Sequence, residues 1–310
     1  MPSVNPLVAD DKDAWFEADS PAWRAACGSF DRAVGGLSRL GFRRTVRTLG
    51  LIGRLACRAG LQGPSAREVL RLFPFLSEAA ASATARCIGA LRLQNRASSA
   101  LAVGGRLHRL SAALGAVSGG QFLEAATKSR RPSLFVEWHI GAAFGLSAVL
   151  HRDRLDALVL RNLPVQSGND RTRALATAVD CLRAGRPVVV LLDAPGGTAT
   201  RPVDCLGRRI VFRRGPFMLA RVTGAQMHPV VSRWRHDGRL DVAIHEALAR
   251  PPSLDRDSFE ASLAETAARW LQRYLLANPD QIWLFTLRNF LAAPLAAERP
   301  PLTPPIPAVS

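Results

Sequence analysis

The chain predicts an α/β fold: a mixed, largely parallel central sheet flanked by helices, with an N-terminal helical region. Three observations predict it. From Pro132 onward, short apolar runs alternate with stretches of helical periodicity, and strands separated by helices of about 10 to 15 residues belong to crossover units covered on both faces. Ahead of Pro132, apolar positions recur at three- and four-residue spacing, which is the period of a helix. The 310 residues are 48% hydrophobic and 21% charged, enough apolar material for one full-sized core and far from the composition of a disordered chain.

Taken in order, residues 1–22 read as an acidic leader cut by Pro2, Pro6 and Pro21, polar and unlike a secretory signal. Residues 23–130 read as the helical region. Between 36 and 61, Leu37, Leu40, Val46, Leu49, Ile52 and Leu55 alternate with Arg39, Arg43, Arg44, Arg47, Arg54 and Arg58. That pattern is a basic amphipathic helix, with Gly50 and Gly53 marking where it would break. Two uses stay open for it: lying on an anionic bilayer, or turning its apolar stripe to the core. Ser65 followed by Glu68 is a capping box, and Ser77 opens a second, alanine-rich helix.

Residues 131–291 read as the α/β core. Strands are expected near 133–138, 156–161, 187–193, 209–213, 227–233 and 240–245, and helices over about 142–151, 170–184, 215–223 and 256–277. The proline-rich tail at 292–310 is expected to lack regular structure.

Charge narrows the partners. Lys and Arg number 41 against 25 Asp and Glu, a net charge of +16 with a pI near 11.4, and Lys12 and Lys128 are the only lysines. Guanidinium groups make forked contacts to phosphate and carboxylate, so an anionic partner fits. One tyrosine, 6% aromatics and no nucleic-acid motif argue against nucleic acid. Five unpaired-looking cysteines without a C-x-x-C pair exclude a disulfide framework or a zinc site, and no metal is expected. No run reaches the 18 to 20 or so apolar residues of a membrane span.

Candidate chemistry gathers at strand ends, where open α/β sheets bind ligands. His139 stands where the apolar run Leu134, Phe135, Val136 meets the small residues Gly141, Ala142 and Ala143. The run Val188 to Leu192 delivers Asp193 to an Ala-Pro-Gly-Gly loop, as a functional carboxylate or as a turn former. Gly168–Arg173 reads as a polar loop entering a helix, with Arg161 nearby as a possible anion contact. Gly207, Arg208 and Arg209, then Arg213, Arg214 and Gly215, place four arginines around one short strand just before a helix. Guanidinium groups so close repel one another unless an anion or solvent relieves them, so the cluster is read as an anion site.

The order of these features resembles the bacterial lipid A biosynthesis acyltransferases, the lauroyl and myristoyl transferases of the lysophospholipid-acyltransferase-like superfamily. The resemblance runs through LRLFPFLSEAAASATAR at 70–86, His139-Ile140-Gly141, Leu191-Leu192-Asp193, Leu206-Gly207-Arg208, Arg214-Gly215-Pro216, LARVTGAQMHPVVSRW at 219–234 and Gln281 to Phe285. It implies transfer of an acyl group from an acyl carrier protein or acyl-coenzyme A, without a further cofactor, to a hydroxyl or amine of a lipid-like acceptor. By the same resemblance His139 is the general base, and Arg208 and Arg214 match the segments that bind phosphate. The family pairs its histidine with an acid five residues on; here that residue is Phe144. Either Glu137, two residues before His139 on the same strand face, or Asp193 from a neighbouring strand end is expected to replace it. No run of these residues matches the family's membrane-spanning N-terminal helix, and the basic helix at 36–61 is its expected peripheral substitute, at the inner face of the cell membrane. A relative that binds acyl chains, carrier protein or lipid without turnover is the alternative that Phe144 motivates.

Overall fold

The computed structural model describes residues 41–61, 63–160, 168–193, 199–251 and 255–296, with Phe30, Ala33, Val34 and Gly36 before them. The leader at 1–22, Arg161 and the tail from 297 lie outside the described residues.

The helical region comes first. Helix α1 (Phe42–Arg58) is continuous through Gly50 and Gly53. The two glycines make the crossing with α3 possible instead of breaking α1: a Cβ on Gly53 would meet the Gly89 carbonyl at 2.6 Å, and one on Gly50 would meet the Gln94 side chain at 2.7 Å. Helix α2 (Ala66–Leu72) carries the expected capping box, Ser65 accepting from the Glu68 N–H while the Glu68 carboxylate accepts from Ser65. Ser77 caps the long α3 (Glu78–Val103) by accepting from the Ala80 N–H, and the short α4 (Leu107–Ser111) follows.

The sheet then assembles from β1 (Leu114–Ser118), β2 (Ser133–Glu137), β3 (Leu158–Leu160), β4 (Val188–Leu191), β7 (Gln226–Trp234) and β8 (Leu240–Ile244), in the order β1-β8-β7-β2-β4-β3. Every pairing is parallel except β7 with β8. Between these strands run α5 (Gly120–Lys128), α6 (Gly145–Arg152), α7 (Gly168–Arg183) and α8 (Arg214–Thr223), and after them α9 (Arg256–Ala277) and α10 (Leu284–Ala292). The residues 168–173, read from the sequence as a loop, are the first turns of α7.

Alternation along β2 shows how the sheet serves two cores. Leu134 and Val136 join the cluster that holds Phe73, Ile88, Phe217 and Leu271, whereas Phe135 joins Val46, Leu146, Leu150 and Trp234 on the other face. All three strand residues are 0% exposed, and burying side chains of this size stabilises by about 1.5 to 3 kcal/mol each. Because Val69, Leu72 and Phe73 belong to the same cluster as the strands, the N-terminal helices and the sheet share one core.

Besides the helix α10, two strands were not expected from the sequence. One is β1 at the sheet's edge; the other is β5 (Thr200–Cys205), which pairs antiparallel with β6 (Arg208–Arg213) in a separate two-stranded hairpin. The tail expectation also needs correction at its start. The Arg209 N–H donates to Pro294 O, the Ala296 N–H to Gly207 O, and Arg208 bridges Leu295. The open edge of β6 leaves backbone groups that must find partners, and residues 294–296 supply them.

Candidate active site

Strand register builds the site. Glu137 lies opposite Leu191 in the parallel pair β2 and β4, so residues two further along each strand, 139 and 193, come side by side as the strands end. The contact is direct. The main-chain N–H of His139 donates to both carboxylate oxygens of Asp193, and ring Nδ1 lies 3.0 Å from Asp193 Oδ1. A carboxylate offers only acceptors, so Nδ1 carries the proton in this pair and Nε2 is the basic nitrogen.

The turn that follows is held from three sides. Asn95 of α3, 3% exposed, donates through Nδ2 to the Gly141 carbonyl and accepts from the Ala143 N–H. Trp283 Nε1 donates to the same Gly141 carbonyl. The Gly141 N–H donates to Gln281 O, and the Trp283 N–H and the Thr286 hydroxyl both donate to His139 O. Gly141 has φ +62, and a Cβ there would meet the Ser232 carbonyl at 2.1 Å, so the turn needs glycine.

Aromatic edges cover the imidazole. Trp283 and Phe285 meet it edge-on at ring-centre distances of 5.0 and 4.7 Å, and the His139 residue is 1% exposed. Asn95, Trp283, Phe285 and Thr286 were not singled out from the sequence as site residues. Asn95 gives no signal there, since a mid-helix asparagine is ordinary; the 281–285 segment was noted only as part of an ordered series of motifs.

Of the two carboxylates expected to serve His139, Asp193 is the one at Nδ1. Glu137 lines a small cavity with Trp138, Phe144, Leu191, Ser232 and Trp283. Phe144 stands with φ +66 at the start of α6, a left-handed conformation that is unusual for an aromatic residue.

The four arginines do not share one open site. The strand β6 separates its ends by about 17 Å at the usual rise per residue, with Arg208 and Arg209 at the hairpin turn. Arg208 donates to Ala293 O, and Arg209 pairs with Asp204. The other end reaches the histidine's neighbourhood, since the Arg213 N–H donates to Leu192 O, one residue before Asp193. Arg214 bonds to Glu260 through Nε at 2.5 Å and lies 3.2 Å from Asp257. Glu260, 0% exposed, also takes Arg201 at 2.8 Å and Arg221 at 3.2 Å. Burial pushes the Glu260 carboxyl up, but hydrogen bonds from Arg214, Arg201 and Arg221 outweigh it and hold the group below its ordinary 4.5. For Arg209 and Arg214 the repulsion read from the sequence is thus relieved by the protein's own acids. Gly207 sits in the hairpin turn with φ +68, and Gly215 lies in the first turn of α8 beside Leu175.

Among the described residues, no three His, Cys, Asp or Glu side chains cluster as a metal site would require. No protein-family model matches the chain, and no curated protein matches its sequence.

Proposed function

We propose that the protein is an acyltransferase of the kind the lipid A acyltransferases represent, moving a fatty acyl group from an acyl carrier protein or acyl-coenzyme A thioester to a hydroxyl or amine of a lipid-like acceptor. The single observation that carries this reading is the carboxylate of Asp193 on Nδ1 of His139. It supplies what Phe144 lacks, because an acid at that nitrogen fixes the tautomer and stabilises the imidazolium; losing the analogous acid in a hydrolase triad costs about four orders of magnitude.

In this reading Nε2 removes the proton from the acceptor hydroxyl as its oxygen attacks the thioester carbonyl. The tetrahedral intermediate collapses, the carbon–sulfur bond breaks, and the imidazolium returns its proton to the departing thiolate. No covalent enzyme intermediate is needed. An acceptor reaching the buried ring has to displace part of its cover, and Phe285 and Trp283 belong to that cover. Among the arginines, Arg213 and Arg214 are the pair positioned near the histidine, and Arg208 and Arg209 would meet an anion only at the hairpin turn. Among the described residues no helix is long and apolar enough to cross a membrane, and the reading places the protein at the inner face of the cell membrane.

The test is mass spectrometry of purified wild type and His139→Ala incubated with acyl carrier thioesters and extracted bacterial lipids. Acylated product from the wild type alone is the expected result, and its mass names chain and acceptor. Full activity in His139→Ala overturns the mechanism. Tight binding of acylated carrier with no product under any acceptor supports instead a binding relative without turnover.

A further inference from the structure

We infer that the solvent face of α1 is a docking surface for an anionic lipid bilayer. The helix has two faces with different commitments. Phe42, Val46, Leu49, Gly50 and Gly53 are buried, Gly50 and Gly53 against α3, so the apolar stripe that the core requires is already used. The other side still carries large apolar groups: Leu51 is 57% exposed, Ile52 47% and Leu55 54%.

At 100° per residue, Leu51 and Leu55 lie on the crest opposite the buried stripe. Arg44 lies in line with them about two to three turns earlier, Arg47, Arg54 and Arg58 run along one side, and Ile52 lies on the other. All four arginines are exposed, and the helix contains no acidic residue. Single exposed leucines are ordinary; three apolar side chains with four guanidinium groups and no acid on one helix face are not. A helix lying flat at a bilayer surface needs that combination, with apolar side chains reaching the acyl boundary while arginine stems extend along it to phosphate. The surface carries no aromatic side chain on which a base could stack, which disfavours nucleic acid. The Gly53–Gly89 crossing holds α1 on α3 before any partner arrives, so the face is preformed and its ordering costs little on binding.

This adds a place to the acyl-transfer reading and rests on that reading for why a lipid surface is needed. The two fail separately. Protein that ignores vesicles but acylates a dispersed acceptor loses only the docking surface; protein that binds vesicles and makes no product loses only the transfer.

The experiment is flotation of the full chain with vesicles of phosphatidylcholine alone or with about a third phosphatidylglycerol, for wild type, Leu51→Ser/Leu55→Ser and Arg54→Gln/Arg58→Gln. The wild type is expected to float with the anionic vesicles and to come off as salt rises. The leucine variant should bind about tenfold more weakly, and the arginine variant about fivefold more weakly for each charge removed. Hydrogen exchange over residues 42–58 of the wild type, slowed by anionic and not by neutral vesicles, gives an answer that does not depend on any variant folding. Equal binding to both vesicle types, or wild-type binding in both variants, would overturn the proposal.

Discussion

His139 gives both its main-chain N–H and its ring nitrogen Nδ1 to one carboxylate, that of Asp193, each at 3.0 Å. The two residues are 54 positions apart and meet only because β2 and β4 are adjacent and in parallel register. Five residues after the histidine stands Phe144, with no carboxylate to offer.

Phe144→Glu is therefore expected to leave thioester turnover within about threefold of wild type, since the nitrogen such an acid would serve is already taken. The measurement is the initial rate of thiol release. A gain of a hundredfold or more would mean that Asp193 does not act as the orienting acid.

Asn95 ties α3 to the turn after His139. Asn95→Ala removes the acceptor for the Ala143 N–H in a buried setting, a loss of about 1 to 3 kcal/mol. The Gly141 carbonyl keeps Trp283 as a donor, so the turn loosens without losing all its support. Denaturant unfolding should show the loss, and turnover should fall with little change in thioester KM.

Glu260 pairs with Arg201, Arg214 and Arg221 from a fully buried position. Glu260→Gln leaves those charges poorly compensated and should cost on the order of 3 kcal/mol at pH 7. Because the carboxyl is held below its ordinary 4.5, its stabilisation is complete above that value and is lost as pH falls through the lower folded value. The gap between wild type and variant in urea midpoints should accordingly shrink below about pH 4.5.

His228 and His245 give a second pH effect. Burial pushes both below their ordinary 6.5; His228 stacks on Phe135 and shares its Nδ1 hydrogen with the His245 carbonyl. The unfolded chain then takes up protons that the folded chain refuses, so stability should decline as pH falls below about 6.5. His228→Gln should flatten that decline in urea midpoints measured between pH 7 and 5, and an unchanged slope would contradict the assignment.

Much of the architecture could be read from local pattern. Helix α9 has its expected bounds, the Ser65 box is formed, and the strands around β2 and β4 come from short runs too apolar to face water. What stayed hidden depended on pairing. β5 contains a proline and two charged side chains in six residues, a poor strand pattern that forms because β6 lies beside it. β1 offers three small residues in five. In the site, His139 and Asp193 were each visible as strand-end residues, but the choice between Asp193 and Glu137 turns on which strand neighbours β2, a fact of the sheet order. The arginines misled for the reverse reason. Their closeness in sequence looked like one anion site, whereas a strand laid out straight holds its ends apart and Glu260, far along the chain, answers Arg214.

The most direct test of the account compares Asp193→Asn with Glu137→Gln, each near-isosteric, by acyl-thioester turnover on the acceptor found for the wild type. Asp193→Asn should fall by about three to four orders of magnitude while Glu137→Gln stays within a few fold. A fall in Glu137→Gln with Asp193→Asn unaffected would contradict the His139–Asp193 pair as the working centre.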